Sequence, residues 1–110
     1  KLYVNGELDG ENSNVTGVII DPNGNSSIFI GTRQDLAQFF PGFINEVSIW
    51  NTALSQSEIQ SYMTTPPTGS ETGLVGYWNF NEGEGTTLTD QTSNGNDGTI
   101  YGATWSTDVP

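Results

Sequence analysis

The sequence predicts an all-β domain with one short helix, on three observations. The 14 glycines and frequent Asn, Thr and Ser among 110 residues fit short strands joined by turns. Phe43 to Trp50 alternates, with Phe43, Val47 and Ile49 on one face and Glu46, Ser48 and Trp50 on the other, as a half-buried antiparallel strand does. Asn45 interrupts the apolar face, and Val47 is expected in the core. That strand then runs into the one clear helix signal. Ser55 with Glu58 three residues later forms a capping box, in which each side chain satisfies a backbone N–H of the first turn. Leu54, Ile59 and Tyr62 or Met63 form one apolar stripe, and Pro66-Pro67 stops the helix after about two turns.

The remaining elements follow from local chemistry. Leu2-Tyr3-Val4 and Glu7-Leu8 flank Asn5-Gly6, a pair that supplies the positive φ angles of a tight hairpin turn. Val15 to Ile20 reads as a strand, Asp21 to Asn25 as a turn, and Ile28-Phe29-Ile30 as a short apolar strand ended by Gly31. Arg33 to Pro41 reads as loop, with Phe39 and Phe40 either buried under the sheet, the default, or exposed at a sandwich end. Thr64 to Thr72, TTPPTGSET, has linker composition. Residues 64–73 therefore read either as an interdomain linker or as the return from helix to sheet. Leu74 to Phe80 is a strong strand, with Leu74, Trp78 and Phe80 opposite Val75, Tyr77 and Asn79, and Gly76 leaves room for a close approach. Thr86-Thr87-Leu88 is a short strand, Asp90 to Gly98 a polar turn, and Thr99-Ile100-Tyr101 with Ala103 to Trp105 complete the pattern. No internal repeat is present.

Charge and composition exclude several classes of function. Thirteen acidic residues against Lys1 and Arg33 give a net charge of −11, which argues against nucleic acid or an anionic membrane as partner and favours cations. The bland alternative is that the acidity serves solubility. Without Cys or His, the chain has no disulfide, no Ser-His-Asp or Cys-His nucleophile and no His-ligated zinc. It has no apolar span long enough to insert in a membrane and no signal-peptide pattern. It opens in a strand pattern at Lys1-Leu2-Tyr3-Val4, which leaves room for an export signal upstream of it. Asp21, Asn23 and Asn25 have the alternate oxygen spacing of a calcium loop. The glycine comes two places early, however, and Thr32 stands where a bidentate Glu belongs, so an Asx-turn is the stronger reading there.

GFINEVSIWNTALSQSEIQ resembles the G-F/Y-I-D/N-E-V-x-I/V-W/Y-N-x-A-L segment of bacterial laminin-G-like domains, which are concanavalin A-like and pentraxin-related. KLYVNGEL with IFIG, and GLVGYWNFNEGEGTTLTDQTSNGNDGTIYGATW, resemble further stretches of that family, so that the likeness covers about two-thirds of the chain. The resemblance implies an antiparallel β-sandwich of jelly-roll type and a binding or adhesion role. It also implies a structural calcium, held by Asp90, the carbonyls around Asn96, and Asn45; the competing reading is that Asn45 and Asp90 cap turns. A family segment with A-L-x-F-D-G and H-x-A-x-x-Y-D-G motifs, expected before the L-Y-V-N-G hairpin, is not in this sequence. The 110 residues are therefore expected to be a laminin-G-like domain, the C-terminal part of one, or a junction between two repeats, covered by other domains of the same chain or by copies of itself.

Catalysis is not expected. Glucanases with this kind of fold place two carboxylates at alternate positions of one strand, whereas the Phe43–Trp50 strand has only Glu46, and Glu82 and Glu84 lie in a Gly-rich turn. Trp50, Tyr77 and Tyr101, with Trp105, are the candidate ligand-binding aromatics, against the alternative that such rings pack in the core. The sequence thus reads as a non-catalytic module of a larger secreted or cell-surface protein, with a carbohydrate or an extracellular protein as partner. The alternatives are an accessory domain of a polysaccharide-degrading enzyme, or a spacer.

Overall fold

The computed structural model describes residues 1–12, 27–33 and 35–108. Strands β1 (Leu2–Val4) and β2 (Glu7–Gly10) form the first hairpin, with Tyr3 opposite Leu8 and Val4 opposite Glu7. Asn5 (φ 52°) and Gly6 (φ 76°) are both left-handed, as the tight turn requires. Gly6 has a second reason to be glycine: a Cβ there would lie 2.8 Å from the Met63 sulfur.

The element carrying Met63 is α1 (Gln56–Thr64). Its capping box is formed: Glu58 N–H donates to Ser55 Oγ at 3.2 Å, and Ser55 N–H donates to the Glu58 carboxylate at 2.7 Å. Thr65 N–H closes the last turn on Ser61 O at 2.9 Å, just before Pro66-Pro67. The helix clamps the hairpin through Gln60 Nε2, which donates to Gly6 O and to Glu7 Oε1, both at 3.0 Å. On its other side the Tyr62 ring rests against Trp50.

Strands β3 (Val47–Trp50) and β4 (Leu74–Trp78) pair antiparallel, with Val47 opposite Trp78 and Ser48 opposite Tyr77. The register slips after Ile49, which faces Gly76, so that Trp50 faces Leu74. Both strands are shorter than their sequence patterns. Glu46 (φ 55°) and Phe80 (φ 57°) are left-handed non-glycine residues at the boundaries of β3 and β4, and that conformation breaks the pleat. The close approach expected at Gly76 is made by the protein's own Trp78, whose indole would lie 2.6 Å from a Cβ at that position.

β4 is the buried strand. The apolar core consists of Leu74, Tyr77, Trp78 and Leu88, with Asp90 and Thr92 buried beside it. Val47, expected in the core, is only half-buried in β3. A third pair, β5 (Thr87–Leu88) with β6 (Gly98–Thr99), brings Leu88 opposite Gly98. Residues 68–71 of the linker-like segment form a compact turn held by the Glu71 carboxylate, which accepts from Thr68 N–H at 2.6 Å and Gly69 N–H at 3.0 Å. Burial raises the Glu71 pKa, but these bonds outweigh it and hold the group below the ordinary carboxylate range. Gly69 (φ 101°) passes so close to Gln91 O that a Cβ would stand 2.2 Å from it.

Several expectations are corrected. Ile28-Phe29-Ile30 is not a strand: a strand needs a partner ladder, and among the described residues this region has only the isolated bridge Thr32–Phe39. Phe39 and Phe40 are each 57% exposed rather than buried. Their loop is closed by its own polar bonds, Phe40 N–H to Gly31 O at 2.8 Å and Thr32 Oγ1 to Gln38 O at 3.0 Å, not by packing of the rings. The strand expected at Val15 to Ile20 and the Asp21 to Asn25 turn lie outside the described residues. Among the described residues the architecture is strand-rich and antiparallel with one helix, and the three sheets have two strands each. A sandwich needs two larger sheets packed face to face, and the described residues do not form them.

Candidate functional site

The β3–β4 face holds two of the three aromatic candidates. Ser48 and Tyr77 are directly paired, so side chains at alternate positions of β3 share a face with Tyr77. Tyr77 is 4% exposed, and its hydroxyl donates to Glu46 Oε2 at 2.5 Å. Burial, then the bond to Glu46 and the negative charges of Glu46 and Glu71, push the phenol pKa well above the ordinary tyrosine range. Tyr77 is thus placed as a packed residue that orients Glu46. Trp50 is half-buried: its indole N–H donates to Ser48 Oγ at 2.9 Å, and its ring lies 5.1 Å from that of Tyr62 at a tilt of 34°. The structure adds Tyr62 to Trp50 on this face, and the bond from Tyr77 to Glu46. The sequence places Tyr62 in the apolar stripe of the helix, and Glu46 on the strand face of Ser48 and Trp50 with no second carboxylate beside it. Tyr101 is 64% exposed, and no hydrogen bond or ring contact among the described residues joins it to Trp50 or Tyr77.

The residues expected to hold calcium are divided between two places. Asp90 is 5% exposed and serves as a hub for backbone donors. Its Oδ1 accepts from Tyr77 N–H at 3.1 Å and Thr92 N–H at 2.9 Å, and its Oδ2 from Asn96 N–H at 2.9 Å and Thr92 Oγ1 at 2.8 Å. Burial raises the Asp90 pKa, but the bonds from Thr92, Tyr77 and Asn96 outweigh it and hold the carboxyl below its ordinary range. Through these bonds the 90–96 turn closes the outer edge of β4. Gln91 N–H donates to Tyr77 O at 2.7 Å, and Val75 O receives the side-chain amides of Asn94 at 2.8 Å and Asn96 at 3.1 Å. The Asn96 carbonyl accepts the Trp78 indole N–H at 3.0 Å.

A calcium ion takes six to eight oxygen ligands. As arranged, Asp90, Asn96 and Asn45 do not fit one: both Asp90 oxygens and the Asn96 carbonyl already carry donors, and no hydrogen bond among the described residues brings Asn45 to either. The turn-capping reading describes Asp90 as it stands.

Asn45 lies instead in a cleft of about 160 Å³. Phe43, Phe80 and Trp105 supply its rings, and Asn45, Thr104 and Asp108 its polar rim. Trp105 is fixed by its indole N–H, which donates to Gly85 O at 3.0 Å. No periodicity or motif announces this cleft, because its walls come from the approach to β3, the exit from β4 and the C-terminal segment.

Among the described residues no helix is long and apolar enough to cross a membrane. Comparison with known families gives one finding: the Laminin_G_3 family model, described as the concanavalin A-like lectin/glucanases superfamily, matches residues 1–60. No curated protein and no solved structure matches the chain. The matched residues run from the first hairpin through β3 into α1 and include the segment on which the sequence resemblance was first read. With more than half of its length matched, the chain belongs to the concanavalin A-like lectin/glucanases superfamily.

Proposed function

We propose that the chain is a non-catalytic carbohydrate-binding module of a larger secreted or cell-surface protein. The observation that carries this reading is the β3 face, where Trp50 packs on Tyr62 and donates to the Ser48 hydroxyl, and where the exposed Glu46 carboxylate is held by Tyr77 of the paired strand. Sugars offer an apolar C–H face that stacks on an aromatic ring, and hydroxyls that need acceptors at its edge. Because Tyr77 anchors one oxygen of Glu46, the carboxylate is oriented before a ligand arrives, which lowers the entropy cost of binding.

The same face supports the non-catalytic reading. Glycoside hydrolysis uses two carboxylates roughly 5 to 9 Å apart across the scissile bond. Here the partner of Glu46 is a phenol whose raised pKa keeps its proton in place.

Affinity electrophoresis through gels containing soluble β-glucans or other neutral polysaccharides tests the proposal. Retardation of the parent chain and its loss in Trp50→Ala, with circular dichroism unchanged, are the expected results. Retardation unaffected by Trp50→Ala would remove the face as the site, and release of reducing ends that Glu46→Gln abolishes would overturn the non-catalytic reading.

A further inference from the structure

We propose that the cleft bounded by Phe43, Phe80 and Trp105 is a second carbohydrate site, one that takes a single neutral pyranose ring. This rests on the carbohydrate-binding reading of the domain but uses none of the residues of the β3 face. Size is the first argument. At about 160 Å³ the cleft is close to the roughly 150 Å³ of a cavity that takes one six-membered ring such as benzene, a size for a single ring rather than an oligosaccharide.

The lining chemistry is the second argument. Three rings offer apolar surface for a C–H face, and Phe43 is 73% exposed, so its ring is uncovered. Asn45, Thr104 and Asp108 supply an amide, a hydroxyl and a carboxylate at the rim. None of these three side chains makes a hydrogen bond among the described residues; at Asp108 only the backbone N–H is engaged, with Ser106 Oγ at 3.0 Å. A set of donors and acceptors with no internal partner, set around aromatic surface, matches the alternating C–H and O–H groups of a sugar.

The walls are also held in place. Phe80 has a left-handed backbone, the kind of local strain that a surrounding structure keeps where a side chain must be aimed. Trp105 is tethered to Gly85 O. Charge then selects the class of sugar. No Lys or Arg lines the cleft, Asp108 is at its rim and the chain carries a net charge of −11, so a uronate or sulfated sugar would be repelled.

The test is a titration of the ¹⁵N-labelled 110-residue chain with methyl glycosides of glucose, galactose, mannose and N-acetylglucosamine, and with glucuronate, followed by NMR. The expected result is a saturable shift of the Trp105 indole N–H and the Asn45 side-chain amide with at least one neutral sugar and none with glucuronate. Binding should weaken by about tenfold in Asn45→Ala and in Asp108→Ala, the effect of one lost polar contact, and persist in Trp50→Ala. Phe43→Ala, at an exposed position, provides a further variant that leaves the core untouched. Three outcomes would overturn the proposal: no cleft shift with any neutral sugar well above millimolar concentration, equal binding of glucuronate, or indifference to all three cleft variants. If polysaccharide retardation through Trp50 survives any of these, the cleft alone has failed; if that retardation is also absent, the carbohydrate reading fails with it.

Discussion

Replacing Asp90 with Ala removes the acceptor on which the closed edge of β4 depends, and the size of the effect follows from the bonds it makes. Three backbone donors lose their partner: Tyr77 and Thr92 N–H, which are buried, and Asn96 N–H, which is partly buried. A buried donor left unsatisfied costs about 1 to 3 kcal/mol, and some relief comes from water reaching Asn96, so a net loss of roughly 3 to 5 kcal/mol is expected at pH 7. Against a typical domain stability of about 5 to 15 kcal/mol, that is enough to lower the melting temperature by more than about 10 °C. Asp90→Asn keeps one acceptor for Tyr77 and Thr92 but turns an amide donor toward another N–H, so a smaller loss of about 1 to 2 kcal/mol is expected.

The pH dependence carries an independent sign. The folded pKa of Asp90 lies below its unfolded value, so its contribution is fully present above the unfolded value near pH 4 and is lost as pH falls through the folded one. Urea denaturation followed by tryptophan fluorescence at pH 7 and at pH 3 to 2 measures both effects. An unchanged midpoint in Asp90→Ala, or a difference from the parent that does not shrink in acid, would refute the role given to this carboxylate.

Three further outcomes are expected. Gly69→Ala should destabilise by about 2 kcal/mol or more in the same urea assay, because the residue is left-handed and its new Cβ would meet Gln91 O at 2.2 Å; a neutral effect would contradict the close approach. Tyr77→Phe should cost about 1.5 to 3 kcal/mol at neutral pH through the lost bond to Glu46. Since the folded phenol pKa is raised, that contribution should hold below about pH 10 and fade above it, and an ultraviolet titration in which every tyrosine ionises together near its ordinary pKa would refute the assignment. Calcium could bind at Asp90 only by displacing its N–H donors, so melts with calcium, magnesium or chelator are expected to agree. A calcium-dependent rise that Asp90→Ala abolishes would place the ion there after all.

Sequence alone determined the features whose causes are local. Asn5-Gly6 dictates its hairpin because both residues accept positive φ, and Ser55 with Glu58 dictates the start of α1 because the two side chains reach only each other's backbone across one turn. Alternation identified β3 and β4, and the run of residues through β3 into α1 identified the family. Tertiary structure decided everything that depends on which segments meet. Left-handed Glu46 and Phe80 cut both strands short, and the deeper burial went to β4 rather than β3 because the 90–96 turn closes the outer edge of β4. Asp90, read either as a metal ligand or as a turn cap, is held as a cap because backbone donors compete for a carboxylate and the nearest ones, from Tyr77, Thr92 and Asn96, reach it. Trp50 gained Tyr62 from the helix, Glu46 gained Tyr77 from the paired strand, and Asn45 gained Phe80, Trp105 and Asp108 from segments farther along the chain. No pattern of period two or 3.6 encodes such meetings: a periodic pattern sets which face a side chain takes within its own element, and only the packing of elements sets what that face meets.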